Sequence, residues 1–172
     1  MTEKTVVVPS LALTYKGKFS LRAIEDVIRA YMRTTPYELA DISHDISVVD
    51  NSKRQTIHFL FTRHPHNQEM CKLLVSVTAE NAIVIIQKMP SGVHEFFDGV
   101  LKINMRATTY SNADEHKQTK ALSYALSTLF RRFVYDSGTS IIGTEMKKYC
   151  YDLYDQLYGL VNMGKTPEGI HA

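Results

Sequence analysis

The stretch Leu101-Lys102-Ile103-Asn104-Met105-Arg106-Ala107-Thr108 decides the fold, because its side chains alternate strictly between apolar and polar. Successive side chains of a β-strand point to opposite faces of a sheet, so this period predicts a strand with one dry and one wet face. Antiparallel sheets commonly leave one face in water. We therefore expect an antiparallel sheet with a single apolar face.

Four segments upstream of this strand also have strand character. They run from Ile42 to Val48, from Ile57 to Thr62, from Cys71 to Val77 and from Ile83 to Ile86. The last of these is apolar on both faces, which is typical of a central strand. Turn residues separate the segments, including Asp50-Asn51-Ser52-Lys53, Glu80-Asn81 and Pro90-Ser91-Gly92. The pattern predicts an antiparallel β-meander of about five or six strands over residues 38–110.

An additional strand and a helix precede the meander. The two apolar triplets 6–8 and 11–13 flank Pro9, which cannot donate a hydrogen bond to a ladder, so this strand is expected at a sheet edge. Ser20 can cap a helix, and Phe19 and Ile24 occupy the positions of a hydrophobic staple. We expect this helix to end before Pro36.

Two long helices are predicted after the meander, so the fold class is α+β. Asn112 is expected to cap the first, and Ser137-Gly138-Thr139 to end it. The second runs from about Ile141 to Met163 with an apolar stripe of Met146, Tyr149, Leu153, Leu157 and Leu160. Both are expected to pack on one sheet face, either as a curved sheet gripping the last helix or as an open two-layer arrangement. Residues 1–163 form one domain in this prediction, and 164–172 a flexible tail.

Composition excludes several classes of protein. The formal net charge is +2, from 20 basic and 18 acidic residues, so no global field attracts nucleic acid or an anionic membrane. Cys71 and Cys150 lie far apart, and we expect both to be buried, unbonded thiols. The N-terminus lacks a signal-peptide pattern and no apolar run is long enough to cross a bilayer, so a cytoplasmic protein without membrane contact is expected.

No local catalytic, metal or cofactor motif is present, so the sequence predicts no catalytic residue, metal site or cofactor. His44 and His58 belong to one predicted hairpin, but their alternation places them on opposite faces. Asp45 is expected to face His58 across the wet side, which is commonly a cross-strand ion pair and less often a catalytic dyad.

Tyrosine is the second notable feature of the composition. The chain has 10 tyrosines, and Tyr151, Tyr154 and Tyr158 form a stripe of their own on the last helix. Tyrosine suits interfaces because it joins a large apolar body to a polar tip. The stripe is open to three interpretations: packing within the domain, a contact between identical subunits, or the lining of a ligand pocket.

A basic face is predicted on the penultimate helix, where Lys117, Lys120, Arg131 and Arg132 can neutralise phosphates. The stretch from Glu115 to Leu126 resembles the helix that follows the sheet in single-strand annealing recombination proteins. That resemblance covers 12 of the 172 residues, and this chain lacks the glycine-marked segments of the family. It implies that the helix frames a groove for single-stranded nucleic acid.

Self-association is the function that the sequence favours, because apolar surface exceeds what one sheet face requires while catalytic motifs are missing. The expected contact residues are Val6 and Val8 on the edge strand and Tyr151, Tyr154 and Tyr158 on the last helix. One alternative is a small-ligand-binding domain with an apolar cavity between the sheet and the last helix. The other is a protein that binds single-stranded nucleic acid through the basic helix.

Overall fold

The computed structural model describes residues 2–49, 52–66, 69–90, 92–112 and 136–162. Its elements in chain order are β1 (Thr2–Phe19), α1 (Leu21–Met32), β2 (Glu38–Val49), β3 (Ser52–His66), β4 (Glu69–Met89), β5 (Gly92–Asn112) and α2 (Asp136–Asn162). The α+β class is confirmed, and strands make up most of the described chain.

One antiparallel sheet holds the five strands in the order β1-β5-β4-β3-β2. Strands β2 to β5 form the meander. The first strand, β1, lies beside the last one, β5, and pairs with it from Thr2↔Asn112 to Phe19↔Phe97. The predicted position of the first strand at a sheet edge is confirmed. Its register with β5 shifts between Val6 and Val8 and again between Val8 and Leu11, on either side of Pro9, because proline cannot join the ladder.

The meander has four strands, because the two strands predicted at 71–77 and 83–86 are parts of one strand, β4. β4 runs unbroken from Glu69 to Met89, so the expected turn at Glu80-Asn81 is wrong. The register with β5 instead shifts between Glu80 and Ile83, and Asn81 takes a φ of 51°. This is a β-bulge, in which an extra residue on one strand bends the pair and increases its twist. Gly99 lies opposite, where a Cβ atom would be 2.6 Å from the Ala82 Cα.

The sheet has one apolar face, as its alternation predicts. On β5 Leu101, Ile103 and Met105 are at most 1% exposed, whereas the intervening Lys102 and Asn104 are exposed. The same inner face includes three buried residues on β3 and a longer run on β4, namely Ile57, Phe59, Phe61, Cys71, Leu73, Val75, Val77 and Ala79. This face packs against the two described helices, and the opposite face, which we call the open face, carries exposed polar side chains such as Lys102 and Asn104.

Helix α1 follows the sequence prediction closely. The Ser20 side chain accepts a hydrogen bond from the Ala23 N–H at 3.3 Å, which satisfies one unpaired donor of the first turn. Its buried residues are Leu21, Ile24, Ile28 and Met32. The Arg29 guanidinium lies 5.9 Å from the centre of the Phe59 ring, so this turn of α1 lies over β3.

Helix α2 packs along β1 and β5 and against α1. It begins at Asp136, so the expected start near Ile141 is wrong and Ser137-Gly138-Thr139 belongs to its first turns. Of its predicted stripe, Met146, Leu153 and Leu157 are buried, while Tyr149 and Leu160 are partly buried against the core. The first of the two predicted C-terminal helices, like the expected tail at 164–172, falls outside the described residues.

Candidate functional site

The tyrosine stripe of α2 divides into one packed and two exposed side chains. Tyr154 is partly buried against the core, whereas Tyr151 and Tyr158 are 53% and 52% exposed. The rings of Tyr154 and Tyr158 stack with centroids 6.2 Å apart and planes 15° apart. Stacking fixes the orientation of Tyr158 on the surface, and an aromatic group held in place loses less conformational entropy when it meets a partner.

The two valines expected on the β1 edge also differ in their surroundings. Val6 is 41% exposed, whereas Val8 is 6% exposed and belongs to the core. The bulge between them reverses the inward and outward alternation. In the single chain, therefore, Val6 is available at the surface and Val8 is covered.

Among the described residues, the three most exposed large apolar side chains lie on the far part of the β4–β5 hairpin, residues 83–98, which we call the arm. β3 accompanies β4 only as far as Arg54↔Glu80, and β1 accompanies β5 only as far as Phe19↔Phe97. Beyond these pairs the arm is two-stranded within the described residues. Ile83 and Ile86 are each 70% exposed and Val93 is 66% exposed. The two-sided apolar pattern at 83–86 thus lies where the sheet narrows. Ile83 and Val84 pair with Asp98 and Phe97, which β1 still accompanies, whereas Ile85 and Ile86 belong to the two-stranded part.

Strand β2 forms the second edge of the sheet and is little covered. Leu39 and Ile46 are 40% and 61% exposed, and Ile42 is partly buried against the core. Ile46 lies on the face that carries the helices, since its register partner Gln55 has the same parity as Ile57 and Phe59. α2 packs along β1 and β5, which are at the other side of the sheet.

A polar ladder crosses the open face and contains the predicted Asp45–His58 contact. His58 Nε2 lies 3.4 Å from Asp45 Oδ2, and His58 Nδ1 lies 2.8 Å from Ser76 Oγ. The register pairs His58 with Ser43, two residues from the expected alignment, but both groups occupy the predicted wet face. Carboxylate, imidazole and hydroxyl follow one another as in a hydrolase triad, but the Asp45 side chain is 69% exposed. A triad carboxylate is buried, so this ladder is a surface network.

Charged pairs stabilise the same face further along the strands. Glu80 accepts from Arg54 and Lys102, each at 2.6 Å, and so joins β3, β4 and β5. The hydrogen bond from Lys102 lowers the pKa of the Glu80 carboxyl. At the other end of the face, the Lys72 ammonium lies 5.0 Å from the centre of the Tyr110 ring. These contacts bind neighbouring strands to one another.

The buried nucleophiles are inert. Cys71 and Cys150 are free and buried, as predicted, and burial raises the pKa of Cys71 to about 11 and that of Cys150 to about 12. Because the thiolate is the reactive species, both remain unreactive thiols at neutral pH. The Tyr37 hydroxyl is also buried, without a hydrogen-bond partner among the described residues, and burial raises the pKa of Tyr37.

One cavity of about 400 Å³ opens where β1 leads into α1, beside the arm and the end of α2. Its apolar lining includes Phe19, Ile24, Ile85, Phe96, Leu160 and Val161, and its polar lining is Lys18, Ser20 and Gln87. Ile85 and Phe96 are direct partners across the hairpin. The cavity lies between the sheet and the last helix, where the sequence places its ligand-binding alternative.

Other predicted features lie outside the described residues or are not found within them. Lys117, Lys120, Arg131 and Arg132 belong to the segment 113–135, which is not described. No group of three or more His, Cys, Asp or Glu side chains in the described ranges is arranged to hold a metal ion. Among the helices described, none has the length and apolar character needed to cross a membrane. Comparison with known proteins finds no family model, curated protein or solved structure that matches the chain.

Proposed function

We propose that this protein is a structural or interaction protein, without enzymatic activity, that associates with copies of itself. The observation that carries the proposal is the arm, which exposes Ile83, Ile86 and Val93 to water at 66–70% of their surface. A two-stranded hairpin is marginally stable in water unless its apolar side chains are covered. Clustered exposed apolar side chains mark interaction sites on soluble proteins.

The tyrosine stripe supports the same proposal from a second element. Tyr151 and Tyr158 expose about half of their surface each, and tyrosine is enriched in the cores of protein interfaces. Val6 adds a partly exposed apolar side chain at the β1 edge. Three separate surfaces with apolar character suit an assembly in which each subunit meets more than one neighbour.

The proposal is tested by sedimentation velocity and light scattering on the purified chain over a hundredfold range of concentration. We expect the mean mass to rise with concentration above that of one 19.6 kDa chain. A protein that remains a monomer at the highest concentration would refute self-association.

The tyrosine contribution is tested with the double variant Tyr151→Ser and Tyr158→Ser. Because both side chains are about half exposed, we expect weaker association with an unchanged melting temperature of the dilute monomer. The matched control is Tyr154→Ser, whose ring packs against the core; this variant should lower the melting temperature. If the double variant associates as strongly as the original chain, α2 is not a contact surface.

A second candidate function is the binding of a small apolar ligand, which the cavity favours. Its volume of about 400 Å³ falls in the range of ligand pockets, which are mostly apolar with a few polar groups. Mass spectrometry of the native protein should then detect a co-purifying small molecule. Ala23→Phe, which fills the cavity from α1, should abolish that signal, whereas Ala30→Phe on the exposed side of the same helix should keep it.

A further inference from the structure

Within the described part of the chain, the two edges of the sheet are open and run in the same direction. Four antiparallel steps separate β1 from β2 in the order β1-β5-β4-β3-β2, so the two edge strands are parallel to each other. No described strand pairs with the outer side of either one. An identical chain placed beside the first in the same orientation would therefore bring its β2 parallel to β1, and unpaired edges are ready templates for such pairing.

The regular parts of the two edges have matching lengths. β1 pairs with β5 without a register shift from Leu11 to Phe19, and β2 pairs with β3 without a shift from Asp41 to Val49. Each is nine residues long, which corresponds to roughly 30 Å of strand. Pro9 and the adjacent bulges restrict pairing on β1 to its second half.

The charges of the two edges are opposite. β1 contains three lysines and one glutamate, a net charge of +2, whereas β2 contains one glutamate and two aspartates, a net charge of −3. Within the regular nine-residue parts, the exposed charges on the open face are Lys16 and Lys18 on β1 and Asp41 and Asp45 on β2. Opposite charges on adjacent strands attract, whereas like charges directly opposite each other are destabilising.

We infer that copies of this chain join edge to edge, with β1 of one copy pairing in parallel with β2 of the next. The inference rests on the proposed self-association and specifies its geometry. Pairing β1 with β1 or β2 with β2 would bring lysines against lysines or carboxylates against carboxylates. The charge pattern thus selects the head-to-tail arrangement and disfavours both symmetric ones.

Both faces of the sheet agree with this arrangement. In a neighbour of the same orientation, the helix-bearing faces adjoin, so that Tyr15 and Phe19 of β1 lie on the same side as Ile42 and Ile46 of β2. A register that places Lys16 opposite Ser43 sets Lys18 opposite Asp45, Tyr15 opposite Ile42 and Phe19 opposite Ile46. This register forms one directly opposed charge pair, Lys18 with Asp45, sets apolar side chains against each other on the other face, and brings Phe19 against Ile46, which is 61% exposed in the single chain.

Head-to-tail pairing leaves one free β1 and one free β2 at the ends of every open assembly. Such heterologous contacts produce closed rings if the rotation between neighbours closes, and filaments if it does not. The expected product is therefore an assembly larger than a dimer, in which the sheets of successive copies are continuous.

A charge-swap experiment tests the arrangement. The first variant carries Lys16→Glu and Lys18→Glu, so that both of its edges are acidic; the second carries Asp41→Lys and Asp45→Lys, so that both are basic. At low ionic strength each variant alone should associate about tenfold or more weakly than the original chain. An equimolar mixture should restore assemblies beyond the dimer, because each acidic edge then meets a basic one.

Matched controls keep the net charge of each variant but leave the edges unchanged. They are Arg22→Glu with Arg33→Glu for the first, and Asp26→Lys with Asp155→Lys for the second, all at exposed positions. Both controls should assemble like the original chain.

The outcomes separate the inference from the proposed function. A monomeric original chain overturns both. If the original chain assembles, and the charge-swapped variants assemble equally well or the mixture fails to recover, self-association stands and the edge pairing is refuted. Restoration that stops at a dimer refutes head-to-tail growth.

Discussion

Replacing Ile86 and Val93 on the arm should weaken self-association without unfolding the chain. The two residues lie on one face of the hairpin, where Ile86 pairs with Glu95 and Val93 with Lys88, so they are diagonal neighbours. We consider the double variant Ile86→Ser and Val93→Ser. Serine keeps the backbone of the strand but removes the apolar surface that an interface would cover.

The magnitude follows from the exposed surface. Complete burial of an isoleucine or valine side chain stabilises by about 1.5–3 kcal/mol. Ile86 and Val93 expose 70% and 66% of their surface, so an interface that covers both gains roughly 2–4 kcal/mol from them. Each 1.4 kcal/mol is a tenfold change in affinity, and the dissociation constant should therefore rise by about 30-fold to several hundredfold.

Sedimentation equilibrium of the original chain and the double variant measures this difference. Ile141→Ser is the matched control, since Ile141 is 61% exposed on α2, away from the arm. The free energy of unfolding of the monomer should change by less than about 0.5 kcal/mol in both variants, because exposed positions contribute little. An unchanged dissociation constant for the arm variant would refute the role of the arm, and a strongly destabilised monomer would show that the arm packs within its own chain.

Three other predictions concern the sheet. Phe59→Ala, at a position with 0% exposure, should lower the free energy of unfolding by about 3–5 kcal/mol in urea denaturation; a loss below 1 kcal/mol would contradict its place in the core. Gly99→Ala should cost about 1–3 kcal/mol because its Cβ would meet a β4 backbone carbon at 2.6 Å, whereas the control Gly159→Ala, where nothing lies within 4 Å, should stabilise α2. The pKa of Glu80 is lower in the folded chain because Lys102 donates to it, so its stabilisation is present above the unfolded pKa and is lost as pH falls through the folded value. Glu80→Gln should therefore cost more stability at pH 7 than at pH 3, and an equal cost at both would contradict the pairing.

Local patterns in the sequence predict much of the sheet correctly. The alternation from Leu101 to Thr108 identifies a strand with one buried face, and the same rule places Asp45 and His58 on one wet face although their register differs by two residues. Side-chain direction depends only on parity along a strand, so an even register error leaves the faces unchanged. The Ser20 cap is also predictable from the sequence, because its donor and acceptor are only three residues apart.

The candidate site was less predictable, because burial depends on neighbours that are distant in sequence. The apolar run from Ile83 to Ile86 has the composition of a covered strand, and only the lengths of β1 and β3 show that β3 ends before this run and that β1 accompanies the sheet no further than the first half of the run. The residues around Asn81 suit a turn as well as a β-bulge. The register with β5, where Gly99 lies opposite, shows that they form a bulge.

By itself, the sequence determined the α+β class, the single apolar face of the sheet, the first helix and the edge position of β1, because each follows from side-chain period, capping or the missing N–H of Pro9. Only the tertiary structure decided that Val8 is covered while Val6 is not, that Tyr154 packs while Tyr158 stays exposed, and that the acidic strand β2 forms the edge opposite the basic strand β1. These properties arise from which strands lie side by side and where each one ends. Pairing between distant segments sets both, and a local pattern carries no information about its partner.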